Sequence, residues 1–127
     1  KPCIVMNHQI LIVEDEPSIV VTLEFLLKQK GFAPIIARDG NEAMTILENH
    51  APDLVILDVM LPGKNGYEIC QSIRHETRLD RTKVLLLTAK GRIADIEKGK
   101  AVGADAYLTK PFAIQSLMDQ VESLLAN

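Results

Sequence analysis

The 127 residues carry a net charge of −3, with 47% apolar and 24% charged residues, a composition that suits one globular domain with one core. The long apolar runs, residues 10–13 and 54–57, are far short of the ~20 residues a membrane span needs, and the N-terminal residues show no signal-peptide core or cleavage site. No dense Lys/Arg tract is present, so the chain itself is not expected to grip nucleic acid or an acidic membrane, and a cytoplasmic location is expected.

Short apolar strands alternate with amphipathic helices along the chain. The first strand is expected over Gln9–Val13. Pro17 and Ser18 then open a helix that Ser18 is able to cap. Its apolar positions Ile19, Val20, Leu23, Leu26 and Leu27 follow a 3.6 period, and Gly31 ends it. A second strand covers Ala33–Ala37, Asp39-Gly40 makes a turn, and a helix over 41–49 stops before Pro52. Residues 54–57 form the third strand. Pro62-Gly63 and Asn65-Gly66 mark a tight loop, followed by a helix over 67–75 and a fourth strand over 84–87. The helix expected over 92–102 is the weakest, because Gly91 flanks it and Gly99 interrupts it, and a helical glycine costs about 1 kcal/mol relative to alanine. The fifth strand is expected over 106–108. The last helix, 114–125, carries Ile114, Leu117, Met118, Val121, Leu124 and Leu125 on one stripe.

Five strand-then-helix repeats, with strands apolar on both faces, imply a parallel sheet covered by helices on both sides. Right-handed crossovers and short connections restrict this to a doubly wound α/β sheet. In such sheets ligands bind beyond the carboxyl ends of the strands. The residues expected there are Glu14 and Asp15 after the first strand and Asp58 after the third. Thr88 and Ala89 follow the fourth, and Thr109, Lys110 and Pro111 lie beyond the fifth.

Three carboxylates and a lysine therefore converge on one edge. Clustered carboxylates repel, so the site is expected to hold a hard cation. Mg²⁺ suits a few carboxylate oxygens together with water and phosphate. It would neutralise charge on a phosphoryl group, while the lysine grips a phosphoryl oxygen as a point charge and Thr88 donates a hydrogen bond to another. A carboxylate can itself be the nucleophile. Each feature alone is an ordinary solvated strand end, but four of them on successive strand ends favour a function. The other reactive residues read as structural. Cys3 and Cys70 form no CxxC pair and have no histidine at metal-ligand spacing. Cys70 shares an apolar helical stripe with Ile69 and Ile73, as a buried thiol does. His8, His50 and His75 stand in polar surroundings at element edges.

The segments ILIVEDEP at 10–17, PDLVILDVMLPGKNGYE at 52–68, VLLLTA at 84–89 and GADAYLTKPF at 103–112 resemble, in order and spacing, the receiver domains of bacterial two-component response regulators. The resemblance runs from about residue 8 to 125, which makes one domain of 1–127 with 1–7 as an extension. The fold expected is a five-stranded parallel sheet of flavodoxin-like order 2-1-3-4-5. The resemblance implies that Asp58 accepts the phosphoryl group, that Asp15 binds Mg²⁺ directly with Glu14 as its acidic neighbour, and that Met60 supplies a backbone carbonyl. It further implies that Thr88 is a switch hydroxyl, Lys110 the phosphate-binding lysine, Tyr107 an aromatic that turns inward with Thr88, and Ala89 a small residue at the site mouth. The Lys110–Pro111 bond is expected to be cis, aiming the lysine at the site. The donor implied is a phosphohistidine on a sensor kinase or phosphotransfer protein. The response implied is a shift of the fourth helix and fifth strand that reaches a downstream effector, with dimerisation possible on phosphorylation. Such a domain is not an enzyme, catalysing only its own phosphorylation and dephosphorylation. Met60 and Lys90 flank the site where acyl-phosphate lifetime is tuned, and neither readily positions an attacking water, so a lifetime of minutes or longer is expected.

Receivers attached to winged-helix DNA-binding domains usually carry an acid where Ala106 stands, and an acid and a base where Ser116 and Gln120 stand. Their shared dimer face is therefore not expected here. The output, the cognate kinase and the oligomeric state stay open. So does the choice between a stand-alone adaptor and a piece of a longer regulator. Three rival readings fit the residues less well. An aspartyl-phosphate phosphatase wants a second acid where Met60 stands. A flavin or nucleotide carrier wants a Gly/Ser/Thr-rich loop where EDEPS stands. A phosphorylation-independent receiver-like adaptor would have lost residues that this chain keeps.

Overall fold

The computed structural model describes residues 8–62, 65–89 and 93–126. The chain runs β1 (Gln9–Val13), α1 (Pro17–Gln29), β2 (Ala33–Ala37), α2 (Gly40–Asn49), β3 (Leu54–Asp58), α3 (Gly66–Arg74), a 3₁₀ turn (Thr77–Leu79), β4 (Lys83–Ala89), α4 (Ile93–Ala101), β5 (Ala106–Lys110) and α5 (Ile114–Ala126). The five strands form one parallel sheet of order β2-β1-β3-β4-β5. No helix among the described residues is long and apolar enough to cross a membrane.

Alternation along the strands divides the core in two. Leu11, Val13, Val55, Leu57, Val84 and Leu86 face one side with Ile69, Cys70 and Ile73. Ile10, Ile12, Leu54, Ile56, Leu85 and Leu87 face the other with Leu23, Leu27, Leu117 and Val121. The central strands β1 and β3 are buried on both faces, which is why their sequences read as unbroken apolar runs rather than alternating ones.

The helix ends explain where each element stops. Ser18 does not cap α1. The helix starts at Pro17, whose fixed φ suits the first turn, so the capping position falls on Glu16, which makes no side-chain cap bond. Ser18 donates instead to Glu16 Oε2 at 3.1 Å. Gly31 lies at φ +89, and the Gly31 and Phe32 amides donate back to the Lys28 and Leu27 carbonyls, the glycine-terminated pattern expected. Asp39 caps α2 by accepting from the Glu42 amide. Asn65 and Glu68 form a reciprocal capping box, so Asn65-Gly66 opens α3 rather than belonging to the loop.

Strands β4 and β5 extend two residues past their predicted ends. Thr88 pairs with Thr109 and Ala89 with Lys110. The hydrogen-bonded ladder thus carries these functional candidates, where an apolar-run reading places them beyond it.

Candidate functional site

Glu14 and Asp15 follow β1, and Asp58 is the last residue of the adjacent strand β3. Parallel pairing brings their carboxylates together, with one oxygen from each lying within 4.8 Å of the others. Glu14 is completely buried and Asp58 only 4% exposed, while Asp15 is exposed. Lys110, the last residue of β5, reaches across from the sheet edge. Its Nζ lies 2.9 Å from Asp58 Oδ2 and 2.9 Å from Glu14 Oε1. The Lys110–Pro111 bond is cis.

Main-chain donors complete the arrangement. Asp58 Oδ1 accepts from the Met60 amide at 3.0 Å, and Glu14 Oε2 accepts from the Glu16 amide at 3.1 Å. Sequence reasoning missed both, since a backbone donor leaves no mark in residue type. The Met60 side chain is 71% exposed, and its hydrogen bond to Asp58 comes from the main chain. Burial, reinforced by the nearby Asp58 charge, pushes the Glu14 carboxyl above the usual carboxylate range, against the opposing pull of Lys110. Burial alone would pull the Lys110 ammonium down, but Asp58 and Glu14 outweigh it and raise it above its ordinary value.

Thr88 is buried at the end of β4, and its hydroxyl has no hydrogen-bond partner among the described residues. Glu14 Oε1 is also buried, with the Lys110 ammonium at 2.9 Å as its one close charge partner among the described residues. A buried unpaired polar atom is costly, so one kept in a native site points to a functional role or to a partner such as a water or ion. An all-oxygen donor set with an orphaned hydroxyl beside it fits a hard divalent cation and a phosphoryl oxygen.

Tyr107 lies on β5, partly buried against the core side that contains Leu86 and Cys70. The α4 residue Gly99 stands against its ring. Ala89 joins the β4–β5 ladder beside Lys110. Lys90, the second residue expected to tune lifetime, lies outside the described residues, as do Cys3, Gly63 and Gly91. Cys70 is fully buried, its Sγ 3.4 Å from the Val102 carbonyl, and burial pushes its thiol up to about 11.

A family model, response regulator receiver domain, matches residues 10–122. The chain belongs to the response regulator receiver domain family. Among curated relatives, the receiver is 42% identical over 120 residues to the alkaline phosphatase synthesis transcriptional regulatory protein PhoP of Bacillus subtilis, covering 94% of this chain and 49% of that protein. The receiver thus spans about half the length of this relative. A solved structure from Chloroflexus aurantiacus, assigned as a response regulator, superposes with a TM-score of 0.89 at 36% identity, covering 96% of this chain and all of that one. The receiver domain of a sensor histidine kinase from Pseudomonas aeruginosa, solved with magnesium in its active-site cleft, gives a TM-score of 0.86 at 28% identity, with 96% and 100% coverage.

Proposed function

We propose that this receiver accepts a phosphoryl group on Asp58 from a phosphohistidine of a sensor kinase or phosphotransfer protein. The observation that carries this reading is the nearly buried Asp58 carboxylate, gripped by Lys110 within a cluster of acids at the strand ends. An Asp58 oxygen attacks phosphorus, an Asp–O–P bond forms, and the donor's P–N bond breaks with the electron pair returning to its imidazole.

Glu14, Asp15, Asp58 and the Met60 carbonyl would hold Mg²⁺, as the magnesium in the related Pseudomonas receiver supports. The ion would supply charge neutralisation for the phosphoryl oxygens. Lys110, freed from part of its pairing with Asp58, takes one phosphoryl oxygen, and the unpaired Thr88 hydroxyl donates to another. Drawing Thr88 towards the phosphate opens space that Tyr107 fills, and the α4–β5 region carries the change to an effector. A groove of about 560 Å³ between α1 and the start of α5, lined in part by Ile19, Thr22, Phe112 and Ile114, adjoins Lys110. It offers a donor protein apolar surface beside the acceptor. The similarity to a transcriptional regulator supports an output in gene control, exerted through a further domain or partner. A cytoplasmic location follows from the donor proposed, and the domain acts as a signalling switch rather than as an enzyme with turnover.

The test is intact mass after incubation with acetyl phosphate, with and without Mg²⁺, on wild type and Asp58→Asn. The expected outcome is a single Mg²⁺-dependent phosphoryl adduct on wild type alone. An adduct that persists in Asp58→Asn would place the acceptor elsewhere. Absence of any adduct on wild type, combined with no Mg²⁺-dependent thermal shift by beryllofluoride, would favour the phosphorylation-independent adaptor.

A further inference from the structure

The turn that follows Asp58 is held from two sides. On the sheet side, the Val59 amide donates to the Leu87 carbonyl of β4 at 3.1 Å. On the other, the Gly66 amide at the first position of α3 donates to the Val59 carbonyl at 3.2 Å. Gly66 is buried, and a Cβ placed on it would stand 2.6 Å from the Asp58 carbonyl oxygen and 2.7 Å from Val59 Cα. Both neighbours are main chain and have no rotamer with which to give way. Gly66 does not occupy the left-handed region, which among the described glycines is confined to Gly31 and Gly103. What demands glycine at 66 is the space, since alanine could adopt the backbone conformation.

We infer that Gly66 is a positioning residue for the phosphoacceptor, setting the placement of the Asp58–Met60 main chain through direct backbone-to-backbone contact. This rests on the reading of Asp58 as acceptor. The Met60 amide holds Asp58 Oδ1, and the Met60 carbonyl belongs to the proposed metal set, so both lie on the stretch that Gly66 braces. The capping box of Asn65 and Glu68 fixes the start of α3. The brace itself is the backbone contact of Gly66 with Asp58 and Val59, so a methyl at 66 must displace the acceptor turn, the helix start or both.

The experiment compares wild type, Gly66→Ala and Asn65→Ala by amide resonances, Mg²⁺ titration and acetyl-phosphate phosphorylation. Asn65→Ala weakens the same helix start without adding an atom next to Asp58. Gly66→Ala is expected to shift the Asp58, Val59 and Met60 amides without metal or donor. It is also expected to weaken Mg²⁺ binding and slow phosphorylation by about 10-fold or more, the scale of a displaced reactive group. Asn65→Ala is expected to keep both near wild type. Unchanged Asp58–Met60 resonances in Gly66→Ala would overturn the proposal, as would an equal loss in Asn65→Ala. Failure of the wild type to take a phosphoryl group, together with no Mg²⁺-dependent thermal shift by beryllofluoride, would instead refute the acceptor reading, while the metal-free resonances still decide whether Gly66 sets the turn. Should Gly66→Ala not fold, the wild type decides. The Gly66 and Met60 amides are expected to respond to Mg²⁺ with one shared midpoint, and a Gly66 amide untouched by the titration would sink the idea.

Discussion

Lys110 Nζ lies 2.9 Å from Asp58 Oδ2 while the same ammonium lies 2.9 Å from Glu14 Oε1. One cation from the sheet edge thus balances two carboxylates that are nearly or wholly out of water. Replacing it by an apolar side chain of similar length leaves both acids without a counter-charge. Lys110→Met is expected to lower metal-free stability by about 2–4 kcal/mol, somewhat below the ~3–5 kcal/mol lost when one partner of a fully buried pair is removed, because the Lys110 side chain is partly exposed. Added Mg²⁺ should restore more stability to the variant than it adds to wild type, because it no longer competes with the ammonium. Urea unfolding with and without Mg²⁺ measures both effects, and an unchanged metal-free midpoint would contradict the pairing.

Arg74 at the end of α3 spends its whole guanidinium on one corner of the fold. It donates to the Gly103 carbonyl at 2.8 Å, the Thr82 carbonyl at 2.9 Å and Asp105 at 2.6 Å. Asp105 in turn accepts from the Val84 amide. Arg74→Met is expected to cost about 2–4 kcal/mol, as loss of a partly buried charged hydrogen-bond network does. Arg74→Lys should recover little, since an ammonium cannot reproduce the planar fork. Denaturant midpoints of the two variants check this, and full rescue by lysine would reduce the network to simple charge.

Gly99 meets Tyr107 so closely that a Cβ on Gly99 would stand 2.8 Å from the ring carbon Cε1 and 3.0 Å from Leu86 Cδ1. Both obstacles are side-chain ends, so the ring can move. Gly99→Ala is expected to keep the fold, helped by alanine's helix preference of about 1 kcal/mol, while displacing the Tyr107 ring. Ring resonances in a Tyr67→Phe background, which leaves Tyr107 as the one tyrosine, report the displacement. An unshifted ring would show that α4 yields instead.

The buried Cys70 thiol gives a pH signature. Its folded value of about 11 stands above the ordinary 9.0. Well below pH 9 neither state is ionised. As pH rises from 9 towards 11 the unfolded chain releases this proton and the folded chain keeps it, so stability falls. The loss approaches roughly 2–3 kcal/mol, because each pH step between the unfolded and folded ionisations is worth about 1.4 kcal/mol. Lys110 also loses its stabilising charge as pH rises through its raised folded value. Comparison with Cys70→Ala, which retains Lys110, therefore isolates the thiol. Unfolding free energies between pH 8 and 10.5 should fall more steeply in wild type, and equal slopes would contradict an inaccessible thiol.

The sheet and the acids were legible because their signals are local. Both-face burial writes β1 and β3 as continuous apolar runs, and Glu14, Asp15 and Asp58 stand where those runs stop. Thr88 and Lys110 were legible as site residues but not as strand residues. Their polar side chains hide backbone pairing that continues to the end of β5. Ser18 misled because hydroxyl chemistry alone ignores the demand of Pro17 for the first helical turn. Gly66 and Gly99 show the limit most clearly. A sequence announces the missing side chain, and in these two cases only the packed fold reveals which atoms stand where it would have been.

The sheet order also has a consequence in time. Synthesis delivers β1 and β3 early, and they can pair as neighbours at the centre of the sheet with all three acids in place. The lysine that pairs with Glu14 and Asp58 sits on β5, made after both strands, which in this sheet is hydrogen-bonded to β4. A chain ending before β5 would therefore carry all three acids without the cation that pairs with Glu14 and Asp58.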